Sequence, residues 1–306
     1  MVLRYLFYRC RWGSLKAAPT LGDIGWAALL ATLLWGASPA QAQSPAPIAP
    51  EAAQWLNQGI EAVQQGDLNG AIAAFRQATE ADPSSAAAFY NLGLALRQGG
   101  QLQQSANAFY RAIQADPQFS VAYANIGAAL LEGNQFEQAE TYLQRAIALE
   151  DDLGLAHYNL GLVYRAQGRQ EEALLALERA EQLSNIAAEP AYHSGQILVE
   201  QRRLDQALAA FDRAIARRPD YPEAHYGRGQ ILYQQQQYAD ALDAFRQATQ
   251  ANPAYASAYY SAGVIFVQQR QYADARRVLD YAQTLFMAQG NRQWAEQTAA
   301  LLDDLP

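Results

Sequence analysis

Apolar and small residues recur every 34 positions from Ala52 to Gln289, with no insertion anywhere. Counting each unit from 1, with the first starting at Ala52, position 8 is always glycine: Gly59, Gly93, Gly127, Gly161, Gly195, Gly229 and Gly263. Position 27 is always alanine, from Ala78 to Ala282. Position 20 is alanine except for Ser105, and position 24 carries Phe75, Phe109, Leu143, Leu177, Phe211, Phe245 and Leu279. Positions 4, 7, 8 and 11 are spaced i, i+3, i+4, i+7, and positions 17, 20, 24 and 27 are spaced i, i+3, i+7, i+10, which also keeps to one helix face, so each unit predicts two amphipathic helices, A and B. Turn-forming stretches such as "QGDLN" and "GNQ" separate them. Pro83, Pro117, Pro219 and Pro253 at position 32 are expected to stop helix B and start the next helix. A glycine inside a helix costs about 1 kcal/mol relative to alanine. Its return in every unit therefore predicts a close helix–helix contact that excludes any larger side chain.

The pattern W-x2-L-G-x2-Y…A-x3-F…P with this period resembles the tetratricopeptide (TPR) repeat. Seven units carry it: 52–85, 86–119, 120–153, 154–187, 188–221, 222–255 and 256–289. Position 4 varies most, and position 7 departs from the pattern at Gln58, Ser194, Arg228 and Ala262. The resemblance implies an all-α fold, a right-handed superhelical α-solenoid in which each helix pair buries its apolar face only by stacking on its neighbours. The last stretch, 290–306, is expected to supply a C-terminal capping helix, with Asn291 as N-cap and Trp294, Thr298, Leu301 and Leu302 on its inner face.

The repeats are preceded by a different kind of sequence. Arg4, Arg9, Arg11 and Lys16 lead into the charge-free run 24–37, followed by Ala40-Gln41-Ala42. This order predicts a signal peptide over 1–42, cut between Ala42 and Gln43, and the apolar run is short for a membrane span. A proline-rich linker, 43–51, would then join it to the repeats. Of the 22 basic and 30 acidic residues, 1–42 removes four basic residues and Asp23, leaving 18 against 29 and a net charge of −11. It also removes the sole lysine and the sole cysteine, Cys10. An acidic, lysine-free chain argues against nucleic acid and anionic membrane as partners. The expected location is outside the cytoplasm, in the periplasm first, with a thylakoid lumen or the outside medium as alternatives.

No catalytic constellation stands out. His157, His193 and His225 fall on A helices with no second ligand at i+3 or i+4, which points to helix packing. Asp151-Asp152 and Glu171-Glu172 lie near helix ends, where carboxylates are solvated or capping. "GRGQIL" at 227–232 lacks the preceding strand that a phosphate loop requires. The chain is expected not to be an enzyme, and to use no cofactor, metal or small-molecule substrate.

In TPR proteins, positions 2, 5, 6, 9, 12 and 13 of the A helices meet the ligand on a concave face. Carried over, position 5 supplies Tyr90, Tyr158, Tyr192, Tyr226 and Tyr260, and position 6 supplies Asn57, Asn91, Asn125 and Asn159. Arg97 and Arg165 stand at position 12, and Glu189, Glu200 and Glu223 follow at positions 2, 13 and 2, grading the charge along the face. The amide row resembles the asparagine ladder of O-linked GlcNAc transferases, which suits an extended peptide because asparagine both donates and accepts. The same Asn and Tyr types also serve inter-repeat contacts in TPR units, and both roles stay open at this point. The cations of a carboxylate clamp are absent from positions 2 and 5. The expected function is an exported scaffold binding a protein or peptide segment and aiding assembly of an extracytoplasmic complex. The alternative is an accessory subunit of an envelope glycan-handling or secretion machine whose chemistry sits on another chain.

Overall fold

The computed structural model describes residues 48–306, so the expected signal peptide and its cleavage site lie outside the described residues. Among the described residues there are fifteen α-helices and no strand. Repeat 1 is α1 (Pro50–Gln64) with α2 (Leu68–Ala81), and repeat 2 is α3 (Ala86–Gln98) with α4 (Leu102–Ala115). Repeats 3 to 5 pair α5 (Ser120–Glu132) with α6 (Phe136–Leu149), α7 (Gly154–Ala166) with α8 (Gln170–Leu183), and α9 (Glu189–Glu200) with α10 (Leu204–Arg217). Repeats 6 and 7 pair α11 (Pro222–Gln234) with α12 (Tyr238–Ala251) and α13 (Ala256–Gln268) with α14 (Tyr272–Ala288), and α15 (Arg292–Asp303) follows.

The chain divides into two compact bodies, one ending at Asp116 and one running from Pro117 to Pro306. Within each body, consecutive helices pack on one another in a TPR-like solenoid. In the second body the A helices also meet directly, α5 against α7 and α9 against α11. At the start of the first body, Ile48 packs on the repeat 1 core and the Ala49 N–H donates to Asp82 Oδ2 at 3.2 Å. Helix α1 begins at Pro50, inside the stretch expected to be linker.

The glycine column has a single cause. A Cβ built on Gly93 would stand 2.5 Å from the Phe109 ring, and one on Gly161 would stand 2.7 Å from Leu177 Cγ. The same clash, always with position 24 of the same repeat, occurs at all seven glycines. The position 24 side chain is buried each time and presses onto the bare backbone of helix A. Ser105, the exception at position 20, keeps its place by donating from Oγ to the Gly93 carbonyl at 2.8 Å.

Proline at position 32 does less than its position suggests. In repeats 1 to 6 helix B ends at position 30, two residues earlier, whether proline follows or not. Position 31 is extended in each of them, as a residue preceding proline prefers. Where proline is missing, side chains serve instead: Glu150 bonds the Ser120 hydroxyl, and Ser184 Oγ accepts from the Ala187 N–H at 3.2 Å. Repeat 7 has Phe286 and Met287 here, and α14 runs on to 17 residues. The Phe286 ring then stacks on Trp294 of α15, with centroids 5.8 Å apart. Asn291 caps α15 by accepting from the Trp294 N–H, and Ala295 and Thr298 are buried, as a capping helix requires.

Position 15, between A and B, adopts positive φ in all seven repeats. Gly66, Gly100 and Gly168 suit it, Asn134 tolerates it, and Arg202, Gln236 and Arg270 do not. Left-handed backbone costs a residue with a Cβ about 1–2 kcal/mol. The triple substitution Arg202→Gly, Gln236→Gly, Arg270→Gly is therefore expected to raise the melting temperature, which differential scanning calorimetry would read. An unchanged or lower value would mean that the added chain entropy of glycine outweighs the strain.

Candidate functional site

The A helices of the second body bring positions 2, 5, 6, 9, 12 and 13 of neighbouring repeats together. The tyrosines are wedged rather than free-standing. Tyr192 sits 6.0 Å from the Phe211 ring of its own repeat and 4.9 Å from Tyr221 at position 34. Tyr226 repeats this with Phe245 at 5.6 Å and Tyr255 at 5.2 Å. In the first body Tyr90 sits 5.7 Å from Phe109, and at the C-terminal end Tyr260 meets the Trp294 ring edge-on at 5.3 Å. The hydroxyls are oriented along the helix, because Gln196 Nε2 donates to Tyr192 at 2.6 Å and Gln230 Nε2 donates to Tyr226 at 3.0 Å. Burial pushes Tyr192 up to about 12 and raises Tyr158 and Tyr255 further, so all three are neutral phenols at physiological pH.

The asparagines sit differently. Nδ2 donates to the carbonyl four residues back in three cases: Asn91 to Ala87 at 2.8 Å, Asn125 to Val121 at 2.9 Å and Asn159 to Leu155 at 3.0 Å. One donor of each amide is thus spent on its own helix. Asn57 is exposed and Asn91 half-buried, whereas Asn125 and Asn159 are 0% and 6% exposed. The four asparagines expected to form one row thus sit at different depths in their own helices.

Charge is paired rather than simply graded. Arg165 Nη2 donates to Glu200 Oε1 at 3.0 Å, and Arg218 Nη1 donates to Glu189 Oε1 at 2.9 Å, so two of the later carboxylates each hold an arginine. Arg97 is half-buried on α3 and Glu223 half-buried on α11. Around Arg165 a polar cluster joins α7, α8 and α9. Its Nη1 donates to Gln196 Oε1 at 2.5 Å and to His193 Nδ1 at 3.2 Å, and Gln170 Nε2 reaches Glu200 at 3.0 Å. His193 Nδ1 also lies 3.1 Å from Gln196 Oε1, so this nitrogen stands between a guanidinium donor and an amide acceptor. Burial, and then the Arg165 charge, lower His193 from 6.5 to about 4.

His193 is thus part of the A-helix face. The other two histidines do structural work, each donating from Nε2 to the position 32 carbonyl before its helix: His157 to Asp151 at 2.9 Å, His225 to Pro219 at 2.8 Å. Between pH 6.5 and 4 an unfolded chain protonates His193 while the folded one does not, so stability falls as pH falls through that window. At Glu181 burial alone would raise the carboxyl, but Arg213 and Arg217 hold it below the usual range, so its contribution is lost only at lower pH. Thermal melts from pH 7 to 4.5 are expected to decline, and His193→Gln to flatten that decline. An equal slope in both would place the acid sensitivity elsewhere.

Other charged groups are paired outside this cluster. Glu172 and Glu140 hold Arg169, and Glu171 approaches Arg203. Arg228, in the stretch tested as a phosphate loop, lies on helix α11 and pairs with Asp212 at 2.8 Å. Among the described residues no cluster of three His, Cys, Asp or Glu could hold a metal ion, and no helix is long and apolar enough to cross a membrane. Sequence reasoning missed Gln196, Arg218, Tyr221 and Tyr255 as members of this face. The signal was present: position 34 is aromatic in repeats 2, 5 and 6, next to a tyrosine at position 5 in each.

The fold is shared with known proteins. The crystal structure of YrrB, described as a TPR protein with an unusual peptide-binding site, is 26% identical, matches 64% of this chain and 99% of its own, and has a TM-score of 0.52. PilF of Pseudomonas aeruginosa is 20% identical over 66% of this chain and 92% of its own, with a TM-score of 0.59. A tetratricopeptide repeat protein of Parabacteroides merdae is 16% identical over 82% of this chain and all of its own, at 0.60. Comparison of the sequence with curated proteins finds no match. The tetratricopeptide repeat family model matches residues 56–118, 125–188, 192–254 and 232–290, which together exceed half of the sequence. With its 34-residue helix pairs and its glycine column in contact with position 24, the chain belongs to the tetratricopeptide repeat family.

Proposed function

We propose that the protein is a non-catalytic scaffold that binds an extended protein segment along its A-helix face, outside the cytoplasm. A TPR fold is a protein-interaction scaffold. The observation that carries the reading is the row Tyr158, Tyr192, Tyr226, Tyr260, whose rings are wedged and whose hydroxyls at Tyr192 and Tyr226 are oriented. Fixed aromatic surfaces lose little side-chain entropy on binding, which favours affinity. YrrB, with its peptide-binding site, supports the assignment by likeness. In this reading Tyr90, Arg97, Asn57 and Asn91 contact ligand in the first body. Arg165, Glu189 and Glu223 set charge preference in the second, while Asn125 and Asn159 back the face through their bonds to α5 and α7. The export reading rests on the order of residues 1–42.

Photo-cross-linking tests the binding face. A photoreactive residue replacing Gln230 on α11 is expected to capture a partner from the envelope fraction, and one replacing the outward Leu175 on α8 is not. Capture from Leu175 alone would overturn the reading.

A further inference from the structure

Repeats 5 and 6 place the same aromatic and acidic residues at the same positions, and among the described residues an arginine is seen against them in repeat 5. In repeat 5, Arg218 at position 31 lies with its guanidinium carbon 3.5 Å from the centroid of Tyr221 at position 34. It donates to Glu189 at position 2, and Tyr221 in turn lies 4.9 Å from Tyr192 at position 5, the planes tilted by 43°. A cation on an aromatic face beside a carboxylate is stabilised by both the ring quadrupole and the ion pair.

One repeat later, every wall of this arrangement is kept. Glu223 takes the place of Glu189, Tyr226 that of Tyr192, and Tyr255 that of Tyr221. Tyr226 and Tyr255 lie 5.2 Å apart at 50°, close to the preceding pair. Tyr255 feels Tyr226, Tyr192 and Glu223, whereas Tyr221 feels the corresponding Tyr192, Tyr158 and Glu189 and, in addition, Arg218. The cation is what differs. Position 31 of repeat 6 is Asn252, whose Oδ1 is turned into its own loop to accept from the Ala254 N–H at 2.9 Å. Nearby arginines are committed elsewhere, Arg217 to Glu181 and Arg228 to Asp212, and among the described residues no arginine is paired with Glu223.

We propose that Glu223, Tyr226 and Tyr255 form a socket for an arginine side chain of the bound segment, which takes the place that Arg218 fills in repeat 5. This rests on the reading of the A-helix face as a peptide site and adds the chemistry of one anchor residue. The net charge of −8 over the whole chain favours a basic ligand in the same sense.

The test compares N-acetyl-L-arginine amide with N-acetyl-L-citrulline amide, its uncharged isostere, by the ring NMR signals of the tyrosines. In the natural protein arginine amide is expected to shift Tyr226 and Tyr255 saturably and citrulline amide is not. Asn252→Arg should abolish the shift by filling the socket from within, and repeat 5 shows that the fold accepts arginine at this position. Glu223→Gln should weaken binding at least tenfold. Arg218→Asn should open a second site that shifts Tyr192 and Tyr221. A response equal for both amides, absent altogether, or unaltered by Asn252→Arg would overturn the socket. Loss of arginine binding with Gln230 cross-linking intact removes the socket and leaves the groove reading standing. Arginine binding with cross-linking only from Leu175 removes the groove reading instead.

Discussion

Leucine in place of Gly161 is expected to lower the melting temperature, although leucine is the better helix former by about 1 kcal/mol. Even the first added atom, Cβ, would stand 2.7 Å from Leu177 Cγ and 2.9 Å from Cδ2, with the Ala173 carbonyl at 3.3 Å behind them. Leu177 is fully buried between helices, so it cannot swing away into solvent. Overpacking of this kind costs about 1–3 kcal/mol or more, which exceeds the propensity gain. Gly161→Ala should fall between the two, since one methyl group needs a smaller shift. A melting temperature at or above that of the natural protein would show that helix propensity, not contact with position 24, decides this column.

Phe211→Ala should have the largest effect of a single substitution. The ring is 2% exposed and touches four things at once: the bare backbones of Gly195 and Gly227, the Tyr192 ring and its own repeat core. Truncating a buried phenylalanine costs about 3–5 kcal/mol. Because a solenoid is held by nearest-neighbour terms, the loss falls on repeat 5 and on its junction with repeat 6. Calorimetry is expected to show a lower and broader transition, with amide exchange in α9 to α11 accelerated ahead of α5 to α8. A uniform acceleration across the second body would mean that it unfolds as one unit.

The fold was legible in the sequence because its constraints are local and repeated. A glycine at position 8 has one packing solution, and the chain states it seven times. Helix ends were harder, since they depend on hydrogen bonds that composition does not announce, such as Ser184 Oγ standing in for a proline. The binding face was legible only as aligned residue types. Whether a position 6 asparagine faces ligand or its own helix is a matter of rotamer, and Nδ2 of Asn91, Asn125 and Asn159 turned to the i−4 carbonyl. The charge gradient was incomplete because the partners of Glu189 and Glu200 come from the extended residue after α10 and from an earlier repeat. His193 reads as a packing residue from its own helix, because Arg165, whose Nη1 lies 3.2 Å from its Nδ1, is 28 positions earlier.

The central claim is that the A helices form the partner surface. Amide hydrogen exchange of the full chain, alone and with the partner captured through Gln230, tests it most directly. Protection is predicted on α7, α9 and α11, with α8, α10 and α12 unchanged. Protection confined to the B helices, or none on either set, would contradict the account.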